Sequence, residues 1–493
     1  MKKRKYDKYA NTTFLINKYA NTIFLIILLI SSGIFIYFYN VNQGYWWDEA
    51  VYLGLAKNLY EGEGYWVNTI GQETFRPPLF PLLIASVWTV FGFSESLVKM
   101  LPPIFGILSI IVLYFFVKRL YDKETAVWAS LILATLHFFL FYGEKLLTET
   151  IFIFLGLSAL YLYYKGIEDD KKWLLPLAGI LIALTFLTRY AGSLLMIVYV
   201  LYPFLRIKTK KRTFKLFPRG LLKNWGFWLG IILFFAVLIP WFQLNQATFG
   251  SPVGAMFTGL GTVTEGYYIG EWYFYFVHWF EIFGLIGIFA IPGIVSLLLK
   301  RKNSNMLILL IIILSTIFFM LLPRKETRYL IHFFQIYSIM IAVGLIEFRK
   351  WVKSSWFFPL IGVIFVSINL LAGIQMIQND IPAGKSLKEA GLWLSDRIPE
   401  GSTIMSQNVP VLYYTAGRQI IYFPASETEL REKVIEDNIS FIVIESREPT
   451  YPDYIWVIQG DEKYPSSVFD EGFELEKTFE EYNKIYVWVY RVI

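Results

Sequence analysis

The residues of this sequence best suited to chemistry are two adjacent carboxylates, Asp48 and Glu49, in the stretch GYWWDEAVY. A carboxylate within hydrogen-bond reach of a hydroxyl group can remove its proton as a general base. An acidic side chain at the start of a helix can instead cap free backbone N–H groups and complement the helix dipole. Asp48 falls at the start of a helix predicted over 48–60, so local features leave both interpretations open.

A second set of residues is cationic and could hold an anion. It comprises Arg76 before a Pro-Pro pair, Arg189 in LTRYAG, and Arg324, Lys325 and Arg328 in PRKETRY. An isolated Arg near the end of a membrane span is more often a snorkelling residue at the lipid headgroups. Several cations that converge on one face can bind a lipid phosphate or diphosphate. The set is therefore a candidate site for an anionic headgroup.

Two further acids, Glu144 and Glu149, lie in the stretch GEKLLTE. They could add carboxylates to the same site. The alternative is a pair of solvated loop charges, or an ion pair with the neighbouring Lys145. The sequence slightly favours this alternative for each residue taken alone.

Other kinds of catalytic site have little support. The sequence has no Cys and only three His, namely His137, His278 and His332. These numbers disfavour zinc hydrolase motifs and Ser-His-Asp chemistry. Neither GxxxxGK[ST] nor GxGxxG is present, so a nucleotide phosphate loop has no support. Asp48 and nearby acids would allow a divalent metal, but without a ligand motif no metal site and no other cofactor is predicted.

The composition indicates that these residues are positioned by membrane helices. The chain has 493 residues, of which 56% are hydrophobic and only 17% charged, and its mean hydropathy is +0.49. Apolar runs long enough to span a bilayer recur through most of its length. We predict a mainly α-helical polytopic membrane protein with about eleven spans, at 22–40, 96–117, 125–142, 150–165, 173–188, 190–205, 225–242, 277–299, 305–322, 329–347 and 356–374.

The distribution of Lys and Arg predicts the orientation of these spans. A cytoplasmic N-terminus places most loop Lys and Arg inside, as the positive-inside rule requires. The same rule explains the basic surplus without nucleic acid. This orientation holds only if the apolar run 79–92 does not span, so we interpret it as an interfacial helix. The acids and cations above then lie on the outer face of the plasma membrane.

The segment 48–60 carries apolar residues at three- and four-residue spacing. This pattern predicts an amphipathic helix in the membrane interface. Trp46 and Trp47 suit the headgroup level.

The last part of the chain, residues 379–493, is predicted to be a small extracytoplasmic α/β domain that follows a transmembrane domain over 1–378. Helical spacing at 386–398 and a capping box at Ser426 predict two helices. Segments rich in β-branched and aromatic residues predict four strands, in STIMSQN, RQIIYFP, ISFIVIE and KIYVWVYRV. The absence of His and Cys in this domain favours an accessory role over catalysis.

In chain order, the motifs DEA-x-Y, RPPLFPLL, LLTET, LTRYAG and K-x-x-RYL resemble those of the GT-C membrane glycosyltransferases. The most similar branch contains the protein O-mannosyltransferases and the aminoarabinose transferase of lipid A. The resemblance covers residues from about 20 to 350, and the C-terminal domain resembles appendages of archaeal and bacterial relatives only loosely.

The resemblance implies that Asp48 is the general base that deprotonates the acceptor, and that Glu49 supports it. It places Arg76 near the phosphate of the donor lipid, at a position where the aminoarabinose enzymes have Lys. Glu149 matches a second-loop acid that is often Asp in that branch.

By the same resemblance, Arg324, Lys325 and Arg328 lie where late-loop cations contact a polyprenyl phosphate. The implied reaction transfers a sugar from a dolichyl or undecaprenyl phosphate to a hydroxyl group of a protein, lipid or glycan, with inversion. Membrane lipids would surround the site.

Two other function classes remain at this point. A transporter or flippase for lipid-linked sugars would need polar residues along the membrane midplane and preferably repeated halves, which the sequence does not show. A receptor would explain the C-terminal domain but would give the acids and cations no role. The loop 243–276, rich in Gly and aromatic residues, suits either a sugar-stacking lid or interfacial anchoring.

Overall fold

The computed structural model describes residues 2–41, 44–66, 75–206, 219–262, 269–352, 357–399, 401–446, 451–459, 462–481 and 484–493. The α-helices are α1 (Lys2–Val41), α2 (Trp47–Glu61), α3 (Leu79–Phe91), α4 (Glu95–Lys99), α5 (Leu101–Leu120), α6 (Lys123–Thr135), α7 (His137–Gly143), α8 (Glu149–Glu168), α9 (Leu174–Phe186), α10 (Ser193–Leu205), α11 (Arg219–Leu222), α12 (Trp225–Phe249), α13 (Gly254–Thr262), α14 (Phe274–Val277), α15 (Trp279–Phe283), α16 (Ala290–Leu299), α17 (Asn303–Leu321), α18 (Phe334–Val352), α19 (Phe357–Arg397), α20 (Val409–Ala416) and α21 (Glu427–Glu436). Short 3₁₀-helices cover Tyr190–Gly192, Leu285–Phe289, Thr327–Phe333, Asp453–Ile455 and Ser467–Asp470.

The described helices confirm a polytopic membrane protein. Seven are long and apolar enough to cross a membrane, and an eighth span forms if α6 and α7, which meet at a 60° bend, count as one. The three other predicted spans correspond to shorter apolar helices at Leu174–Phe186, Tyr190–Leu205 and Leu285–Leu299. Helix α3, with 13 residues, belongs to the same group of shorter apolar helices, and its interfacial position stays a prediction.

Small residues allow some of these helices to pack closely. A Cβ atom on Gly179 of α9 would lie 2.1 Å from the carbonyl oxygen of Gly230 on α12. One on Gly344 of α18 would lie 1.8 Å from the carbonyl oxygen of Phe289. Only glycine fits at such crossings, where dispersion contacts replace the hydrophobic effect that is missing between helices in lipid.

Helix α2 confirms the helix predicted at 48–60, but it is more buried than an amphipathic stripe predicts. Most of its residues are buried, on all of its sides. Helix α3 covers one side, where the ring of Phe80 packs edge-on against Tyr52 with centroids 5.3 Å apart. Helix α20 of the C-terminal region covers another. The spacing of apolar residues could not reveal these two covering helices, because both are distant in sequence.

The C-terminal region contains a mixed sheet with strand order β2-β1-β3-β7-β6 and a separate β4-β5 hairpin. The strands are β1 (Thr403–Ser406), β2 (Gln419–Ile421), β3 (Ile439–Glu445), β4 (Trp456–Gln459), β5 (Glu462–Pro465), β6 (Phe473–Glu481) and β7 (Lys484–Val492). Strand β1 runs parallel to β2 and β3, while β7 is antiparallel to β3 and β6. All four predicted strands are present, and Ser426 caps α21 as predicted.

The connection between the two predicted domains is a helix. Helix α19 is 41 residues long and continues without interruption through the predicted boundary at 378/379. The helix predicted at 386–398 is therefore the end of the last membrane helix. The boundary itself stays a prediction.

Candidate active site

The carboxylate of Asp48 lies between two arginine side chains. Its Oδ1 is 3.0 Å from Nη2 of Arg76, and its Oδ2 is 3.2 Å from Nη1 of Arg328. The Asp48 side chain is only 13% exposed. Residues from the first and the late predicted outer loops, 280 positions apart, therefore meet at one carboxylate.

Glu49, rather than Asp48, takes the role of the helix cap. Its Oε2 accepts a hydrogen bond of 2.7 Å from the backbone N–H of Trp46, the residue that precedes α2. Its Oε1 accepts one of 2.6 Å from the backbone N–H of Leu146. The buried Glu49 thus ties the start of α2 to the segment before α8, which agrees with a supporting role.

Burial of the carboxyl group acts to raise the pKa of Asp48. The positive charges of Arg76, Arg328 and Arg189 outweigh this effect and hold that pKa well below its usual range. Asp48 is consequently an anion at neutral pH. While both arginines stay in place, it is also a weak base.

Arg76 is fixed in front of α3 by its own backbone and by aromatic rings. Its backbone carbonyl accepts a hydrogen bond of 2.7 Å from the hydroxyl group of Tyr65. The hydroxyl group of Tyr190 donates one of 2.7 Å to the carbonyl of Phe75. The guanidinium lies 5.4 Å from the centre of the Tyr52 ring, within the range of a cation–π interaction.

A second ion pair joins Glu149, the first residue of α8, to Arg189. The Arg189 Nη2 atom is 3.0 Å from Glu149 Oε1, and Nε donates a hydrogen bond of 2.7 Å to Thr148 Oγ1. Glu149 is fully buried, and its Oε2 atom accepts no hydrogen bond from the residues that the structure describes. The positive charge of Arg189 also acts on Asp48, so this pair belongs to the same cluster.

The late loop adds Glu326, which the sequence suggested only as a possible partner of Arg328 and not as a site residue. Glu326 accepts from Arg328 Nε at 2.5 Å and forms an ion pair of 2.5 Å with Arg324 Nε. Arg324 is thus connected to Arg328, and so to the cluster, by its ion pair with Glu326. This acid orients both arginines of the loop, and only its position between them in PRKETRY could have suggested it.

Lys325 does not lie with these arginines, contrary to the prediction that it holds the lipid phosphate. The buried ammonium group donates to the backbone carbonyls of Phe319, Met320 and Leu322 at the end of α17. A cation stabilises the unpaired carbonyls at a helix C-terminus. The alternation of side-chain direction along the loop turns Lys325 away from its two neighbours.

Glu144 also has a structural partner. It is buried, and its Oε1 lies 3.2 Å from Nζ of Lys145, which in turn lies 2.6 Å from Oδ2 of Asp380. The ion-pair alternative considered for Glu144 is the arrangement found. Asp380 comes from α19 and had not been recognised as part of this region.

An apolar groove of about 470 Å³ lies among the helices around Arg189 in the sequence. Helices α9, α10, α12 and α13 line it, through residues that include Phe186, Ser193, Phe242 and Met256. Phe186 and Ser193 lie on either side of Arg189 in the sequence.

Among the described residues, no group of three or more His, Cys, Asp or Glu side chains is arranged to hold a metal ion. The part that a divalent metal plays therefore stays a matter for experiment.

Comparisons with known proteins agree with this architecture. Residues 75–243 match the family described as dolichyl-phosphate-mannose-protein mannosyltransferase. The structure superposes on ArnT from Cupriavidus metallidurans bound to undecaprenyl phosphate with a TM-score of 0.66, covering 94% of this chain and 97% of that one at 12% identity.

The chain has the GT-C fold. The oligosaccharyltransferase of Archaeoglobus fulgidus tethered with an acceptor peptide is a further example, with a TM-score of 0.61 and 14% identity. That match covers 87% of this chain and 69% of the other.

One relative among curated proteins is an uncharacterised protein of Aquifex aeolicus (strain VF5), 24% identical over 195 residues. The match covers 38% of this chain and 39% of that protein. It is thus confined to about two-fifths of the length of that relative.

Within the GT-C fold, the clustered residues come from the ends of helices. Asp48 lies in the first turn of α2, Glu149 at the start of α8 and Arg189 shortly after the end of α9. Arg76 precedes α3, and Arg328 follows α17. Residues so far apart in the chain meet because the helices that carry them are packed together.

Proposed function

We propose that this protein transfers a sugar from a polyprenyl phosphate to a hydroxyl group of a protein, lipid or glycan. The observation that carries the proposal is the Asp48 carboxylate held between Arg76 and Arg328. This arrangement places a base beside cations that suit a phosphate, at the start of a helix in a membrane protein.

The arginines would stabilise the leaving group. As the bond between the anomeric carbon and the phosphate oxygen breaks, negative charge grows on that oxygen, and fixed cations lower its energy. Guanidinium groups suit this task because they form paired hydrogen bonds with phosphate oxygens. Arg76 and Arg328 are oriented by Asp48 and Glu326.

Asp48 would act as the base. The acceptor oxygen attacks the anomeric carbon while its proton passes to an Asp48 oxygen, and the electron pair of the broken C–O bond stays on the polyprenyl phosphate. Direct displacement of this kind inverts the anomeric configuration. Because the phosphate competes with Asp48 for the arginines, donor binding would raise the pKa of Asp48 and make it a better base.

The groove lined by Phe186 and Ser193, which flank Arg189 in the sequence, supports a lipid donor. It is apolar along its length, as an isoprenoid chain requires. ArnT of the same fold binds undecaprenyl phosphate, and AglB of Archaeoglobus fulgidus has been found with a dolichol-phosphate. The chemistry requires no nucleotide at this site.

We place the site on the outer face of the plasma membrane, with a cytoplasmic N-terminus and an extracytoplasmic C-terminal domain. The distribution of Lys and Arg among the loops supports this orientation.

The experiment that tests the function uses the purified protein in lipid nanodiscs with dolichyl- and undecaprenyl-phosphate sugars, radiolabelled in the sugar. Membrane extracts supply the acceptors. We expect label to leave the lipid and one polyprenyl phosphate to be released for each sugar transferred. A flippase would move the label across a bilayer without breaking the sugar–phosphate bond, and that result would refute the proposal.

A further inference from the structure

An ion pair and a hydrogen bond that the proposed reaction does not use link α19 to the segment before α8 and to the first loop. The Oδ2 atom of Asp380, on α19, accepts a hydrogen bond of 2.6 Å from Nζ of Lys145. The same oxygen accepts one of 2.8 Å from the indole Nε1 of Trp46. Lys145 is 1% exposed and Asp380 is 21% exposed, so the contact is largely shielded from water.

Both partners of Asp380, Trp46 and Lys145, are adjacent in the chain to residues that contact Glu49 or belong to the site. Trp46 is the last residue before α2, and its backbone N–H is bonded to Glu49, next to Asp48. Lys145 precedes Leu146, whose backbone N–H is bonded to the other oxygen of Glu49. The segment from Lys145 then continues to Glu149 at the start of α8. One carboxylate on α19 therefore contacts both segments that carry the acids of the cluster.

Asp380 is one of the anions that stabilise the buried ammonium group of Lys145. The ammonium lies 4.6 Å from the ring centres of both Trp46 and Phe141. A buried cation of this kind requires a paired anion, because its desolvation is costly. Without the charge of Asp380, Lys145 would keep its ion pair with Glu144 and the nearby charge of Glu49, but it would lose the anion 2.6 Å from its ammonium group.

The C-terminal region also holds the first loop through aromatic contacts. The rings of Trp47 and Tyr422 are stacked with centroids 6.2 Å apart. Tyr45 packs edge-on against Tyr414 of α20 at 5.7 Å. These contacts bring the residues on both sides of Trp46 against the C-terminal region.

We propose that Asp380 is a positioning residue, which acts through Trp46 and Lys145 to hold Asp48 in the geometry needed for proton transfer. The C-terminal region then takes part in orienting the base. This inference rests on the proposed function of Asp48.

The test compares Asp380→Asn with Lys385→Gln in the full-length protein. Asparagine keeps an acceptor for Trp46 but removes the charge that holds Lys145. Lys385 is five residues further along α19 and its side chain pairs with Glu481 of β6, so its substitution removes an ion pair of α19 whose partner lies outside the first loop. For each variant, hydrogen exchange of peptides covering 44–52 and 144–149 is measured beside the thermal midpoint, kcat and donor KM.

For Asp380→Asn we expect faster exchange in both peptides and a kcat reduced roughly ten- to hundredfold, because small misplacements of a reacting group cost about that much. Donor KM should change less than about threefold, since the arginines remain in place. Asp380→Glu, which keeps the charge, should retain more activity than Asp380→Asn. If Asp380→Asn fails to fold, the comparison between Asp380→Glu and Lys385→Gln decides by the same exchange measurement.

Unchanged exchange at 44–52 in the Asp380 variant would overturn the inference whatever the activity. Equal effects of Asp380→Asn and Lys385→Gln would also overturn it, because they would indicate a general effect on α19. Absence of sugar transfer by the unaltered protein would refute the proposed function alone, and the exchange result would still decide whether Asp380 positions the first loop.

Discussion

At the scale of single residues, the central feature is a conflict at Asp48 between the pKa that a general base needs and the pKa that its surroundings give it. A general base needs a pKa not far below the working pH. The arginines around Asp48 hold its pKa well below the usual range. The conflict disappears if the donor phosphate takes over part of the hydrogen bonding of Arg76 and Arg328.

This exchange of partners predicts a difference between two pH profiles. In the free protein Asp48 stays ionised as the pH falls from about 7 to about 5, because its folded-state pKa lies below the unfolded value of about 3.9. The contribution of this charge to stability is therefore present above about pH 3.9 and is lost only as the pH falls through the lower folded-state pKa. With donor bound, the pKa of Asp48 rises.

The acid limb of kcat, which reports the complex, should consequently lie at higher pH than the acid limb of kcat/KM, which reports the free protein. Steady-state rates measured between about pH 4 and about pH 8 check this. If the acid limbs of kcat and kcat/KM coincide, the bound phosphate does not disturb the ion pairs of Asp48 with Arg76 and Arg328.

Arg328 offers a test of the phosphate site. Arg328→Ala should weaken binding of undecaprenyl phosphate roughly ten- to hundredfold, because charge-assisted hydrogen bonds contribute about 1.5–3 kcal/mol. Acceptor KM should change less. Binding is measured by titration in nanodiscs, with the thermal midpoint recorded beside it.

The matched control is Arg119→Ala, which removes an arginine paired with Asp169 in a more exposed position. An ion pair of that kind contributes little, so binding should not change. If both substitutions weaken binding equally, the Arg328 effect is not specific to the site.

At the scale of elements, the start of α2 is held by a close backbone contact. A Cβ atom on Gly44 would lie 2.4 Å from the backbone carbon of Gly384 on α19. Gly44→Ala should therefore push α19 away from the first loop, lower the thermal midpoint and reduce sugar transfer. Gly33→Ala in α1 is the control, since a Cβ there meets nothing within 4 Å, and it should leave both quantities unchanged. Normal stability and transfer in Gly44→Ala would show that this contact does not position the loop.

Much of the fold could be predicted from the sequence because apolar runs and loop charges are local signals. The membrane spans, the strands of the C-terminal sheet and the capped helix at Ser426 all follow from such signals. The burial of α2 does not, because it depends on α3 and α20, which the pattern within α2 cannot show. The continuous helix through 378 was also missed, since the polar residues after the span suggested a separate element.

The candidate site was predicted in part. The sequence indicated that acids and cations would share one face, and the structure brings Asp48 together with Arg76 and Arg328. The sequence could not show that Lys325 faces the end of α17, because side-chain direction in a loop depends on the tertiary fold. Asp380 was missed because no motif marks a carboxylate whose partners lie more than 200 residues away.

At the scale of the whole molecule, the orientation in the membrane has a direct test. The sequence lacks Cys, so single introduced cysteines can be labelled without background. Cysteines at Ser251 and Ser467 should react with an impermeant maleimide in intact cells. A cysteine at Thr209, which lies outside the described residues, should react only after permeabilisation. Labelling at Thr209 with protection at Ser251 would reverse the orientation and place the site on the cytoplasmic side.

The packing of the helices also determines which substitutions lower the catalytic rate without lowering the stability of the fold. Glu49 accepts two backbone hydrogen bonds, and glutamine has only one acceptor oxygen to replace them. Glu49→Gln should therefore lower the thermal midpoint. Asp48 pairs with the side chains of Arg76 and Arg328, so Asp48→Asn removes a charge and a base but leaves that backbone framework in place.

The most direct measurement is sugar transfer by Asp48→Asn at saturating donor, beside its affinity for undecaprenyl phosphate and its thermal midpoint. We expect turnover to fall about a hundred- to ten-thousandfold, the usual cost of losing a general base. Affinity for the lipid phosphate should be equal or higher, because the two arginines no longer share their hydrogen bonds with a carboxylate. A folded Asp48→Asn protein that transfers sugar at the unaltered rate would contradict the assignment of Asp48 as the base.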